Sequence, residues 1–210
     1  KQNEINKLIP SVATGKQFNS ALGNPQKIFQ RVMISAIGGV ITLLISQSQI
    51  TSQFYSLWLV LGVVILLYIL WGPILEASRK NSKFKSYSFS ALVDGFISDV
   101  YVEDRIENQQ EQANKDGRLE VLEKKRTWVV LDIDDEDGYI SNISFPLQNK
   151  FNILKKDMRI NCIVFSNRKD FSTIESISDA WCPEINLWVG YYPYLLRPAF
   201  EEIINRRILN

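Results

Sequence analysis

The sequence predicts an α+β membrane protein: a two-helix transmembrane hairpin, then a small β-barrel or sandwich-like domain, then a C-terminal amphipathic helix. Three observations predict it. The stretch from Val32 to Leu75 contains no Asp, Glu, Lys or Arg, although charged residues make up 22% of the 210-residue chain. From Tyr87 onward apolar residues come in short alternating runs divided by turn-forming clusters, and after Pro193 they recur at three-to-four spacing. The expected divisions are a surface segment over 1–30, the hairpin over 31–80, a soluble β-rich domain over 86–192 and the closing helix over 193–210.

Each element has its own reason. Pro10, Gly15, Gly23 and Pro25 interrupt any long helix in the N-terminal segment. Ala13-Thr14-Gly15-Lys16 lacks the full glycine pattern of a phosphate loop. Phe54 to Leu75 is an apolar run long enough to cross a hydrocarbon core of about 30 Å at about 1.5 Å per residue, with Tyr55, Trp58, Tyr68 and Trp71 towards its ends. Val32 to Ile45 is shorter and reaches that length by extending to Ile50. Ser35, Gly38 and Gly39 on the first run and Gly62 on the second are the residues expected to let the two helices pack closely. Lys16, Lys27 and Arg31 precede the first run, Arg79, Lys80, Lys83 and Lys85 follow the second, and the loop between is uncharged. The positive-inside rule then places both termini and the soluble domain on the side of the cytoplasm or its organellar equivalent.

In the soluble domain, strands are expected over 91–102, 119–122, 127–133, 139–145, 159–165, 173–180 and 187–190. A hairpin turns at Asp137-Gly138, and Glu103 to Arg126 is read as a protruding charged loop with a short hairpin at Asp116-Gly117. The acidic run Asp132 to Asp137 lacks the glycine and the distal glutamate that an EF-hand requires, so it reads as a solvated turn. In the last segment, Pro198 suits a first helical turn and Glu202 pairs with Arg206 across one turn.

Composition narrows function. A net charge of +1 gives no electrostatic case for nucleic acid. The chain has no histidine, which removes the commonest general base and zinc ligand. Cys162 and Cys182, in apolar surroundings, are expected to be buried free thiols. No motif for a cofactor or metal is present, and the ligand class such a hairpin would accommodate is lipid or pigment. The densest candidate site is aromatic: Trp181, Trp188, Tyr191, Tyr192 and Tyr194 fall within one short segment, the composition of a protein-binding hot spot. The carboxylates Asp94, Asp99, Glu103 and Asp104 are the remaining group from which an enzyme reading would start.

Ile9-Pro10 with Ala13-Thr14-Gly15, Leu70-Trp71-Gly72-Pro73, Ser166-Asn167-Arg168 with Asp170, and Leu187-Trp188-Val189 with Tyr192-Pro193-Tyr194-Leu195 are scattered over nearly the whole chain. Together they resemble a family of small membrane proteins of cyanobacteria and plastids, often labelled phosphate ABC transporter permease. That resemblance implies a thylakoid setting and a role beside a photosynthetic complex such as a photosystem; two spans lack the helices of a permease core. The leading expectation is a non-enzymatic accessory or assembly subunit of a larger membrane complex, contacting membrane lipid. The alternatives are a self-associating scaffold with a small β-barrel and an auxiliary subunit of a transporter.

Overall fold

The computed structural model describes residues 7–48, 53–113, 119–135 and 140–208. They form two compact units, one helical over Ile9–Ser86, the other built from Tyr87 onward together with the chain's start up to Leu8.

The helical unit begins with a capping box. Thr14 Oγ1 accepts the Gln17 N–H at 3.3 Å and the Gln17 side chain accepts the Thr14 N–H at 3.1 Å, which opens α1 (Gly15–Leu22). Gly23, at φ 82°, ends it. Asn24 then accepts the Lys27 N–H at 2.9 Å and Pro25 takes the first helical position of α2 (Pro25–Ser48), so this helix starts earlier than the expected boundary at residue 31. α2 is the single described helix long and apolar enough to cross a membrane.

The second apolar run departs from expectation. It is not one straight span: α3 (Tyr55–Leu66) and α4 (Tyr68–Lys85) meet at Leu67 with a bend of 71°. At about 1.5 Å per residue, the twelve residues of α3 extend about 18 Å, well short of a hydrocarbon core. Pro73 lies beyond the break, inside α4, so the bend is not a proline kink. Instead, side chains replace the interrupted ladder. The Ile69 N–H, orphaned by the break, donates to Ser35 Oγ of α2 at 3.1 Å, and the Val64 carbonyl accepts from Trp71 Nε1 at 2.8 Å. Gly72 leaves room for the Tyr68 ring, which a Cβ there would meet at 3.0 Å, and Tyr68 packs edge-on against Trp71.

The second unit is an open antiparallel sheet, not the closed barrel or the sandwich that the spacing suggests. Its strands are β1 (Phe89–Ala113), β2 (Leu119–Asp134), β3 (Ile140–Pro146), β4 (Arg159–Ser166), β5 (Ser176–Ile177), β6 (Ala180–Cys182) and β7 (Leu187–Val189). The order is β3-β2-β1-β4-β6-β7, with β5 also on β4, leaving β3 and β7 as edges. Val93, Ile97, Val129, Leu131, Ile133, Phe145, Ile160 and Cys162 line one face. Phe151, Leu154, Met158, Phe171 and Ile174, from the connections, pack against it. A bulge between Ile97 and Asp99 shifts the alternation, so Val100 also points into this core.

The other face is covered at the β4–β6–β7 end by α5 (Arg197–Ile208), through Phe200 and Ile204, and by Leu8, whose carbonyl accepts the Leu196 N–H at 2.8 Å. The expected loop over 103–126 is a continuation of β1 and β2, which pair as far as Ala113 and Leu119. β4 accompanies β1 only over Phe89–Phe96, and β3 accompanies β2 only over Trp128–Asp134. The remainder is a two-stranded ribbon extending about 35 Å at about 3.3 Å per residue. Asp116-Gly117 and Asp137-Gly138, the expected turn tips, lie outside the described residues.

Candidate functional site

The aromatic segment folds as a short hairpin. Asn186, at φ 48°, turns the chain between β6 and β7, and its side chain accepts from Trp181 Nε1 at 3.3 Å. Trp181 and Trp188 are cross-strand partners, with ring centroids 6.4 Å apart. Trp188 is held on every side: its Nε1 donates to Glu201 at 2.6 Å, Arg197 lies 4.8 Å over its ring and Phe200 lies 5.5 Å away. Gly190, at φ 136°, brings the backbone against Asp179, where a Cβ would meet Asp179 Cα at 3.0 Å. Asp179 is buried; its carboxylate accepts the Leu195 N–H at 3.0 Å and pairs with Arg197 at 3.3 Å.

Most of the candidate partner-binding residues are therefore occupied inside the sheet unit. Trp181 and Tyr192 are buried, Trp188 ties β7 to α5, and Tyr194 packs on Tyr192 at 4.7 Å. Tyr191 alone of the five is well exposed, at 65%. It stacks on Trp128 at 5.5 Å, and Arg105 lies 5.0 Å from the same indole. Arg105, Trp128 and Tyr191 thus make a surface column at the base of the ribbon. Arg105 faces Arg126 across the two strands, and the like charges are offset by pairs with Glu103 and Glu107. Phe96, Tyr101, Val102 and Ile106 are also exposed along β1. Sequence reasoning missed Trp128 and Arg105, because only the strand register brings them to Tyr191.

The carboxylates from which an enzyme reading would start do not converge. Asp94 binds Arg159 and Asn161, Glu103 binds Arg105, and Asp104 accepts from Thr127 Oγ1 at 2.8 Å on the opposite face of the ribbon. Among the described residues no group of His, Cys, Asp and Glu could hold a metal ion. Cys162 and Cys182 are buried free thiols, and burial pushes both up to about 12.

In the helical unit the candidate packing residues lie along one antiparallel contact. A Cβ at Gly38 would meet Ile65 at 2.9 Å, one at Gly39 would meet Leu66 at 2.4 Å, and one at Gly62 would meet Leu43 at 2.9 Å. Ser35 completes the row at the break. The buried positions of α2 are Arg31, Ser35, Gly39, Thr42 and Ser46, whereas Ile34, Ile37, Val40, Ile41 and Leu44 are exposed. This is the reverse of a water-soluble helix, which buries its aliphatic residues.

An open antiparallel sheet with a long ribbon, together with a helical unit whose apolar residues face outward, defines an α+β chain with one membrane-length helix. It belongs to the family of unknown function DUF8619, which it matches over residues 1–208. No curated protein and no solved structure matches it.

Proposed function

We propose that this protein is a non-enzymatic, membrane-anchored accessory or assembly subunit of a larger membrane complex. The observation that carries the reading is the outward apolar surface of the helical unit. Aliphatic side chains on α2 and α3 face outward while serine, threonine and glycine face inward, an arrangement that lipid rewards and water penalises. α2 is the spanning helix, and the bent α3–α4 pair returns antiparallel beside it as the second arm of the hairpin. By the positive-inside rule, both termini and the sheet unit lie on the cytoplasmic or stromal side. The scattered resemblance to thylakoid proteins supports a photosynthetic complex as the partner, with lipid or pigment beside the hairpin.

The docking surface is the Arg105–Trp128–Tyr191 column and the adjoining ribbon. An exposed tyrosine on an indole, flanked by arginine, has the composition of an interface anchor. Purification in mild detergent, followed by native gel separation and mass spectrometry, is expected to find the protein comigrating with a larger complex. Tyr191→Ala should release it with the unfolding midpoint unchanged, whereas Trp188→Ala should lower the midpoint because it empties the α5 contact. Recovery of a homogeneous self-oligomer instead would favour the scaffold reading, for which the unpaired ribbon edges are the specific support.

A further inference from the structure

We propose that the open half of the sheet's outer face, around Asp99, Asp132 and Tyr101, docks a Lys- or Arg-rich polypeptide segment. α5 and Leu8 cover this face at its β4–β6–β7 end, whereas on β1 Phe96 and Tyr101 remain 44% and 41% exposed. Asp99 is exposed as well, and its cross-strand partner Asp132, on β2, is half-buried.

Like charges directly opposite each other on neighbouring strands destabilise a sheet. Elsewhere on this face acids and bases are matched: Arg105 pairs with Glu103, Arg126 with Glu107 and Arg159 with Asp94. Among the described residues no Lys or Arg pairs with Asp99 or Asp132. Asp134 follows Asp132 on the same face, opposite Phe96. The Tyr101 hydroxyl senses the surplus. Its pKa is raised by desolvation and then by the charges of Asp132, Glu103 and Asp99, against the opposing pull of Arg105.

Aromatic ring faces attract cations as carboxylates do, so exposed Phe96 and Tyr101 beside the acidic pair favour ammonium and guanidinium groups. Among the described residues the acids do not converge on a point that could hold a metal ion. They lie in a row along two strands, which suits cationic side chains spaced along an extended segment. Composition points the same way. From Tyr87 onward 21 Asp and Glu outnumber 15 Lys and Arg, so the field of the sheet unit draws cationic chains towards it. Membrane proteins concentrate Lys and Arg in loops on the side to which the positive-inside rule assigns this unit. That identity of the occupant, a charged loop of a membrane partner, rests on the accessory-subunit reading above; the preference of the face for cations does not.

The test uses the full chain in detergent and short fluorescent peptides of alternating Lys and Ser, or of Gln and Ser, with binding read by anisotropy. The Lys peptide should bind and the Gln peptide should not. D99N/D132N should weaken binding on the order of tenfold and leave the melting temperature equal or higher, because it removes a repulsion. E175Q/E202Q, an equal loss of charge at exposed positions elsewhere in the sheet unit, should keep the binding. Equal binding of the two peptides, unchanged binding by D99N/D132N, or an equal loss in E175Q/E202Q overturns the site. A lowered melting temperature in D99N/D132N also overturns it, since the carboxylates would then serve the fold itself. A self-oligomer seen by light scattering and dissolved by D99N/D132N would put the basic end of a second copy's α4 on this face and overturn the membrane partner. Comigration with a larger complex is read separately. Peptide binding without comigration keeps the cation site and removes the accessory reading, whereas comigration retained by D99N/D132N removes the site and keeps that reading.

Discussion

Asp179 is a buried carboxyl of the sheet unit whose titration is displaced upward. Burial pushes its carboxyl up to about 6, against the opposing pull of Arg197 and the Leu195 N–H. In the unfolded chain such a group titrates near its ordinary value of about 3.9. Between those two values the folded state holds the proton more tightly, so this residue opposes folding at neutral pH and its cost is relieved as pH falls through 6 towards 4. The effect is on the order of 2–3 kcal/mol. Asp179→Asn abolishes the titration. Denaturant unfolding of both proteins from pH 7 to pH 4 should show their stability difference moving in the wild type's favour by about that amount; a constant difference would mean that the carboxyl ionises alike in both states. None of this was readable from the chain, where Asp179 is one acid in an unremarkable run. Its burial comes from Gly190 and α5, which only the fold brings together.

At the scale of elements, the break at Leu67 shows why periodicity recognised the second apolar run but not its shape. Composition reports whether a segment prefers lipid, and Phe54 to Leu75 has uniform preference. The bend depends on two hydrogen bonds, one from a residue on another helix. Ser35 was legible as a small packing residue; its role as the acceptor for Ile69 was not. Ser35→Ala should leave the part-buried Ile69 N–H without this acceptor and lower stability by about 1 kcal/mol in a detergent unfolding titration, while Ser48→Ala, at an exposed position of the same helix, should change little. Equal effects would show that the N–H finds water. The sheet was legible where strands alternate, as in Thr127 to Ile133 and Arg159 to Phe165. It was misread from Glu103 to Arg126, where charge on both sides of a two-stranded ribbon hides the period.

At the scale of the whole molecule, the ribbon is an appendage of the sheet. The buried core ends at Val129 and Val100, and beyond it Val102 and Ile106 are exposed. Replacing residues 106–125 with a two-residue turn should therefore leave the unfolding midpoint of the sheet unit within a few degrees of the full chain and, on the accessory-subunit reading proposed above, abolish comigration with a larger complex. A collapse of the midpoint would instead make the ribbon part of the cooperative fold. The barrel expectation failed at this scale because strand count and spacing carry no information about closure: β3 and β7 end as edges since no register joins them.

The hydrogen bond from Ile69 to Ser35 has a consequence for how the chain is made. The acceptor precedes the donor in the sequence, so a ribosome releases Ser35 well before the broken segment that needs it. In a bilayer an unpaired amide costs several kcal/mol. If the helical unit sits in a bilayer as proposed above, the broken segment enters hydrocarbon most favourably once α2 is already there, and synthesis from the N-terminus supplies the two in that order.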